Sequence, residues 1–266
     1  MIYNNPSVSV VVPAYNEEEY IAHTVQSLEK VLTNIVSDFE IIVVNDKSTD
    51  ATASILQELQ KSRPYLTIVN NRRNMGLGAT LRAGFARAKC DIIFYVDADM
   101  PFDFYDLAKA LRVMSYRKAD IIAGFRLDRT SEGVRRIIYS FAYNFMIRLL
   151  FGVKMKDINF SFKLIKKSAL KRLKLNSSGS FIDAEIIIKA SRAGMPIYQI
   201  GTDYYPREYG QSTLSGMNTI LGIIREMGVF YFAPLTSRLI KLNPKPYVVA
   251  IFRAFNLRRI GLLLSR

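Results

Sequence analysis

Short, β-rich apolar runs alternate with longer stretches of helical periodicity through the first half of the chain. The runs at 8–12, 40–44, 66–70, 92–96 and 121–124 predict strands, bounded by polar and glycine-containing segments. Between them, apolar residues recur at helical spacing near 18–33, 51–61, 77–89 and 104–116. A strand–helix alternation with short connections predicts a mostly parallel, doubly wound α/β sheet with helices on both faces. Ligands in such sheets bind beyond the carboxyl ends of the strands, so the strand-end residues belong together.

Those ends are polar and acidic. After the first strand comes Pro13-Ala14-Tyr15-Asn16-Glu17, and after the second Asn45-Asp46-Lys47-Ser48-Thr49-Asp50. The third leads into Asn74, Gly76 and Gly78, and the fourth delivers Asp97-Ala98-Asp99. Two carboxylates at i and i+2 can converge where a strand gives way to a loop, and Mg²⁺ or Mn²⁺ needs only one or two carboxylates besides substrate phosphates. A surface Asp-x-Asp turn is the plainer reading of the same residues. Ser48, Thr49 and Asp50 also read as a helix start, because their oxygens can cap free N–H groups. Gly76 and Gly78 suit a phosphate-approaching loop, but the full dinucleotide fingerprint and the phosphate-loop lysine are missing.

Length and charge narrow the partners. The 266 residues suffice for one large domain with an appendage, and half are hydrophobic, which excludes a disordered chain. A single cysteine, Cys90, forms no internal disulfide and suits a reducing compartment; the amino terminus carries no recognisable signal peptide. The net charge of +14 calls for an anionic partner, and from Leu235 onward there are basic residues but no acidic one. Zinc-ligand spacing and nucleic-acid-binding signatures are absent, which argues against a nucleic-acid partner despite the charge. The lone His23 lies within the first predicted helix and reads as packing or surface.

The segment 135–151 carries Arg136, Ser140, Asn144 and Arg148 at every fourth position, one narrow polar stripe on an otherwise apolar helix. So wide an apolar surface meets either the core or a membrane interface. Residues 217–232 and 247–264 are apolar with scattered charges, and neither provides an uninterrupted membrane span. The expected division is a domain over 1–215, including an amphipathic helix at about 132–151, and a basic, apolar helical appendage over 216–266 that lies at a membrane interface.

Four strand-end motifs in order, Pro13-Ala14-Tyr15-Asn16-Glu17, Asn45-Asp46-x-Ser48-x-Asp50, Asn74-x-Gly76 with Gly84, and Asp97-Ala98-Asp99, resemble the family-2 glycosyltransferases of the GT-A fold. The later segments Gly124-Phe125-Arg126, Arg135-Arg136 with Ser140, Asp157-x-Asn159-x-Ser161-Phe162-Lys163, Phe181-x-Asp183-x-Glu185 and Arg207 to Ser212 resemble the polyprenyl-phosphate sugar synthases within it. The resemblance implies donor contacts from Pro13, Tyr15, Glu17, Asn74, Gly76 and Ala98, with Asp46 accepting hydrogen bonds from the base. It implies Mg²⁺ or Mn²⁺ on Asp97 and Asp99, and an acceptor phosphate held by Arg126, Arg136, Ser140, Arg207 and Ser212. Asp97, Asp99 and Arg126 form the implied catalytic set. Two departures stand out: Pro101 where relatives usually carry a glutamine, and Asn45 where many carry an aspartate.

The implied reaction is metal-dependent, inverting transfer of a hexose from a nucleotide-diphosphate sugar, GDP-mannose ahead of UDP-glucose, to a polyprenyl or dolichyl phosphate. A phosphate monoester is largely dianionic at pH 7, with a second pKa near ~6, so it attacks without a general base. Guanidinium groups can grip such a phosphate in two places. The expected location is the cytoplasmic membrane face, held peripherally, with a membrane protein as a candidate further partner. Two alternatives stay open: a hydroxyl acceptor with Asp157 as base, Asp157 otherwise stabilising its loop, and a catalytically idle nucleotide-binding subunit.

Overall fold

The computed structural model describes residues 6–99, 102–129, 133–205 and 221–232. The chain divides into two compact units, Met1–Ser212 and Thr213–Arg266. The first unit runs β1 (Val8–Ala14), α1 (Ile21–Ile35), β2 (Phe39–Asn45), α2 (Thr52–Lys61), β3 (Leu66–Asn70), α3 (Leu77–Arg87), β4 (Ile92–Tyr95) and α4 (Asp106–Tyr116). It continues through β5 (Ile121–Arg126), α5 (Val134–Phe151), β6 (Lys163–Lys166), α6 (Lys167–Leu173), α7 (Ile182–Arg192) and β7 (Ile197–Thr202).

The strands form one seven-stranded sheet in the order β3-β2-β1-β4-β6-β5-β7. All neighbours are parallel except β6, which runs antiparallel to β4 and β5. The five expected strands are present, and β6 and β7 add to them. Strand alternation separates two layers. Val8, Val10, Val12, Ile41, Val43 and Phe94 belong to the core that also takes in Ile21 and Leu28 of α1, Leu56 of α2 and Leu107 of α4. On the other face Gly84 of α3 lies so close to the sheet that an added Cβ would meet Val11 at 2.4 Å and Val44 at 3.0 Å. Helices therefore cover both faces.

Chain order reverses between β1 and β4, since β2 and β3 extend one way from β1 and β4 the other. Parallel register places Ala14 beside Asn45 and Asn45 beside Asn70, which brings the carboxyl ends of three strands level. This is a topological switch point, where an open crevice forms between loops that diverge.

Helix α5 is amphipathic in the reverse sense. Val134, Ile138, Phe141, Phe145 and Leu149 lie between 55% and 73% exposed, whereas Tyr143 and Ile147 are buried. Of the polar stripe, Ser140 and Asn144 face the protein, with Asn144 Oδ1 accepting from the Ile158 N–H at 3.0 Å, whereas Arg148 is exposed. Gly152 ends the helix with φ +71, a left-handed cap open to glycine without strain. No helix among the described residues is long and apolar enough to cross a membrane. In the second unit residues 221–232 are helical, with Met227 buried and Leu221, Ile224 and Phe232 exposed. The rest of the expected appendage, including 247–264, lies outside the described residues.

Candidate active site

The loops after β1 and β2 are laced together through backbone N–H groups. The N–H of Asn16 donates to Ser48 Oγ at 3.1 Å, that of Glu17 to Thr52 Oγ1 at 2.9 Å, and that of Glu18 to Asp50 Oδ2 at 3.2 Å. In return the N–H of Thr49 donates to Asn16 Oδ1 at 2.8 Å and that of Ala51 to Glu18 Oε2 at 2.7 Å. Asn16 adopts φ +56, a conformation asparagine tolerates better than most residues. Pro13 and Glu17 are half-buried in this edge, and the Tyr15 ring stands exposed. Ser48 and Asp50 thus do more than begin α2: they hold the first loop against the second.

Asp46 is placed differently from an open acceptor for a base. It is buried, and its Oδ1 accepts from Asn71 Nδ2 at 2.7 Å and the Met75 N–H at 2.8 Å, while Oδ2 accepts from the Gly76 N–H at 2.9 Å. Those bonds shape the loop containing Asn74, whose own Oδ1 also accepts from the Gly76 N–H at 3.2 Å. Gly76 has φ +81, which favours glycine. The Gly78 and Ala79 N–H groups at the start of α3 donate to the Ser178 carbonyl at 2.9 and 3.2 Å. The amino end of α3 is therefore closed by protein and is not an open phosphate cradle. Gly78 is required by that closure, since a Cβ would lie 2.4 Å from the Ser177 carbonyl oxygen and 2.8 Å from that of Gly179.

Beyond β4, Asp97 and Asp99 are half-buried on either side of the buried Ala98. The Ala98 carbonyl accepts a hydrogen bond from Thr24 Oγ1 on α1, which fixes the turn between the carboxylates. Tyr95 is fully buried and its hydroxyl donates to Asp97 Oδ1 at 3.3 Å. Burial first, then the carboxylates of Asp183, Asp97 and Asp99, push this phenol far above its ordinary range, so it remains a donor. Across the strand pair, Tyr95 lies beside Lys163, whose ammonium forms a buried ion pair with Asp183. No group of three or more His, Cys, Asp or Glu side chains that could hold a metal exists among the described residues. The hard oxygen set on offer is thus two carboxylates, which fits a cation that completes its shell with phosphate oxygens and water.

Arg126 also departs from the expected arrangement. Its Nε and one terminal nitrogen form a fork on Asp157, at 2.7 and 3.0 Å, and the guanidinium lies over the Phe160 and Tyr204 rings at 5.4 and 5.2 Å. A fork already engaged by a buried carboxylate cannot also present itself in full to a phosphate. Arg129 reaches Asp157 at 2.6 Å and donates to Ser140 Oγ at 3.0 Å, so Ser140 too is occupied by protein. Burial pushes the Asp157 carboxyl up, but hydrogen bonds and charge from Arg126 and Arg129 outweigh it and hold the pKa below the usual range. Arg136 falls within α5 with its side chain outside the described residues, and Arg207, Ser212 and Pro101 lie outside them altogether.

Residues 9–174 match the model of the glycosyl transferase family 2 domain. The chain belongs to that family. This glycosyltransferase is 29% identical over 241 residues to dodecaprenyl-phosphate galacturonate synthase of Rhizobium johnstonii, covering 87% of this chain and 68% of that protein. It is 28% identical over 248 residues to dolichyl-phosphate β-glucosyltransferase ALG5D of Trichomonas vaginalis, covering 86% and 76%. Its GT-A fold matches glucosyl-3-phosphoglycerate synthase of Mycobacterium tuberculosis, solved with Mn²⁺, UDP-glucose and phosphoglyceric acid, at a TM-score of 0.65, 19% identity and coverage of 85% and 79%.

Several residues that organise this glycosyltransferase carry no local signal in the sequence. Thr24 and Tyr95 read as ordinary members of an apolar helix face and an apolar strand. The 177–179 backbone that closes α3 lies a hundred residues downstream of Gly78 in chain order, and nothing near either segment announces the pairing. Glu185 is buried and accepts from the Asn176 N–H at 2.9 Å and the Ser177 N–H at 2.8 Å, bracing that backbone from behind. Glu185 belongs to the segment Phe181-x-Asp183-x-Glu185, but its partners come only from the fold.

Proposed function

We propose that this glycosyltransferase transfers a hexose from a nucleotide-diphosphate sugar to a polyprenyl phosphate at a membrane surface. The observation that carries the acceptor assignment is α5, which turns Ser140 and Asn144 inward and a row of five apolar side chains outward. A surface of that kind fits lipid, and both relatives compared above act on polyprenyl or dolichyl phosphates by name. GDP-mannose and UDP-glucose are the donors proposed, in that order.

In this reading Asp97 and Asp99 hold Mg²⁺ or Mn²⁺ against the donor diphosphate. The ion, when bound, supplies Lewis-acid stabilisation of charge on the departing diphosphate. Tyr95 and Thr24 hold the two carboxylates in place, and Tyr15, Glu17 and Asn74 line the nucleotide side of the crevice. Asp46 and Gly76 shape that side from within the protein. Arg136, Arg207 and Ser212 are the proposed contacts to the acceptor phosphate, with the Arg126–Asp157 pair positioning the segment behind them. The acceptor dianion attacks the anomeric carbon directly, with inversion. A hydroxyl acceptor would require a base, and the ion-paired, low-pKa carboxylate of Asp157 is a weak one.

The test is transfer of radiolabelled sugar from a panel of nucleotide sugars into an organic-soluble product, with polyprenyl phosphate and either cation present. Asp97→Asn and Asp99→Asn should each abolish transfer and metal-dependent thermal stabilisation by donor while leaving the unliganded melting temperature near that of the wild type. Transfer to free glycans or alcohols with none to the phosphate lipid would overturn the proposal.

A further inference from the structure

A basic concavity lies far from the carboxylates. A cavity of about 820 Å³ opens at the other end of the sheet, among Lys118, Lys166, Lys167 and Lys171, with Leu111 and Met114 in its wall. Ile92 and Lys166, which pair across β4 and β6, both line it. Ile92 begins β4 and Asp97 lies past its other end, a separation of roughly 16 Å at ~3.3 Å per residue. A ligand seated here does not touch the donor crevice.

The lysines are held in different ways. The Lys166 ammonium pairs with Asp120 at 3.1 Å, and that of Lys167 donates to the neutral Lys89 carbonyl at 2.7 Å, which fixes its position without cancelling its charge. Lys118 and Lys171 make no ion pair or side-chain hydrogen bond among the described residues. Asp91 lies in the same wall, yet the lysines still outnumber the acids. Lys118 adopts φ +51 just after α4, a conformation usually left to glycine or asparagine, and it is an exposed member of the lining. Ser115 and Ser168 add hydroxyl groups at the same mouth.

We propose that this cavity binds the phosphate group of an anionic ligand, with its less polar part against Leu111 and Met114. The volume is that of an ordinary small-molecule site, and ammonium groups on flexible stems suit phosphate as point charges. Either a soluble phosphate compound or a phospholipid headgroup carries this chemistry.

The experiment uses the full chain bearing Asp97→Asn and Asp99→Asn, without divalent cation, so that the donor crevice does not compete. Inorganic pyrophosphate is titrated by calorimetry and by amide chemical shifts at 118–120 and 166–171. In parallel, the protein is sedimented with phosphatidylcholine vesicles with and without phosphatidic acid. Lys118→Glu with Lys171→Glu, both on exposed side chains, should weaken the responding arm at least ~10-fold, because two charges are removed and then inverted. Loss in the pyrophosphate arm identifies a soluble phosphate ligand; loss confined to the phosphatidic acid arm identifies a headgroup. If the charge reversals leave both arms as they were, or neither probe binds the parent chain, the site does not exist.

Discussion

Replacing Asp157 by asparagine tests the network that ties α5 to the sheet. The carboxylate is 2% exposed and receives three short contacts, two from the Arg126 fork and one from Arg129. Asparagine preserves the shape and one acceptor oxygen but removes the charge that faces the Arg126 guanidinium, itself 8% exposed, across the pair. Breaking a buried pair from one side costs about 3–5 kcal/mol. For a domain of this size each kcal/mol moves the melting temperature by ~2–4 °C, so a fall of roughly 6–20 °C is expected. The sign of the pH dependence follows from the depressed pKa. The stabilisation is complete above the ordinary aspartate value of 3.8 and disappears as pH falls through the lower folded value. The wild type and Asp157→Asn should therefore differ most at neutral pH and converge in acid. Pairing Asp157→Leu with Arg126→Met should recover part of the loss, since those two charges leave together and only Arg129, 23% exposed, loses its Asp157 contact. Thermal unfolding across pH measures all of this. A difference below ~0.5 kcal/mol, or one indifferent to pH, would refute the account. Turnover measured well below the melting temperature separates roles: abolished transfer with unchanged stability would make Asp157 a base after all.

Gly78→Ala should destabilise by about 1–3 kcal/mol, because its Cβ would collide with two backbone carbonyls, whereas Gly133→Ala, which meets nothing within 4 Å, should be neutral; equal urea midpoints for the two would contradict this. Asp46→Asn should cost about 1–3 kcal/mol and accelerate amide exchange at Met75 and Gly76, whose N–H groups lose a charged acceptor, and unchanged protection there would show that the loop is held by something else. Ile138→Glu and Phe145→Glu should leave stability within ~0.5 kcal/mol while reducing vesicle flotation, and unfolding instead would mean that these side chains are covered by protein.

The fold was legible where the chain speaks locally. The strands β1 to β5 announce themselves as apolar runs closed by polar turns, and alternation with helices yields the layers. Strand β6 does not: its four residues, Lys-Leu-Ile-Lys, place a buried lysine where an apolar side chain would be expected, and its antiparallel direction depends on the long excursion through α5. Strand β7, Ile-Tyr-Gln-Ile-Gly-Thr, alternates weakly after a buried helix. At the site, the same limit applies to partners and not to positions. The strand-end motifs sit together at the switch point as expected. Asp46 and Arg126, however, face protein, because a loop 30 residues on and an aspartate 31 residues on supply partners that periodicity cannot reveal.

Those inward-facing charges explain how an apolar surface can be carried beside a catalytic edge. A helix with five exposed apolar side chains has little hydrophobic reason to stay on the domain, and Tyr143 and Ile147 are its buried anchors. The polar stripe supplies the rest: Ser140 accepts from Arg129, Arg129 pairs with Asp157, and Asn144 accepts from the N–H of Ile158. Asp157 in turn grips Arg126 at the end of β5, so α5 is fastened to the sheet by polar bonds on the face where most surface helices use apolar ones. That reversal leaves the apolar stripe exposed, the surface that the proposed function assigns to lipid. It also makes the Arg126–Asp157 pair the point at which α5 is joined to the sheet: severing it should loosen α5 before it disturbs Asp97 and Asp99, which are held independently, by Thr24 of α1 and Tyr95 of β4.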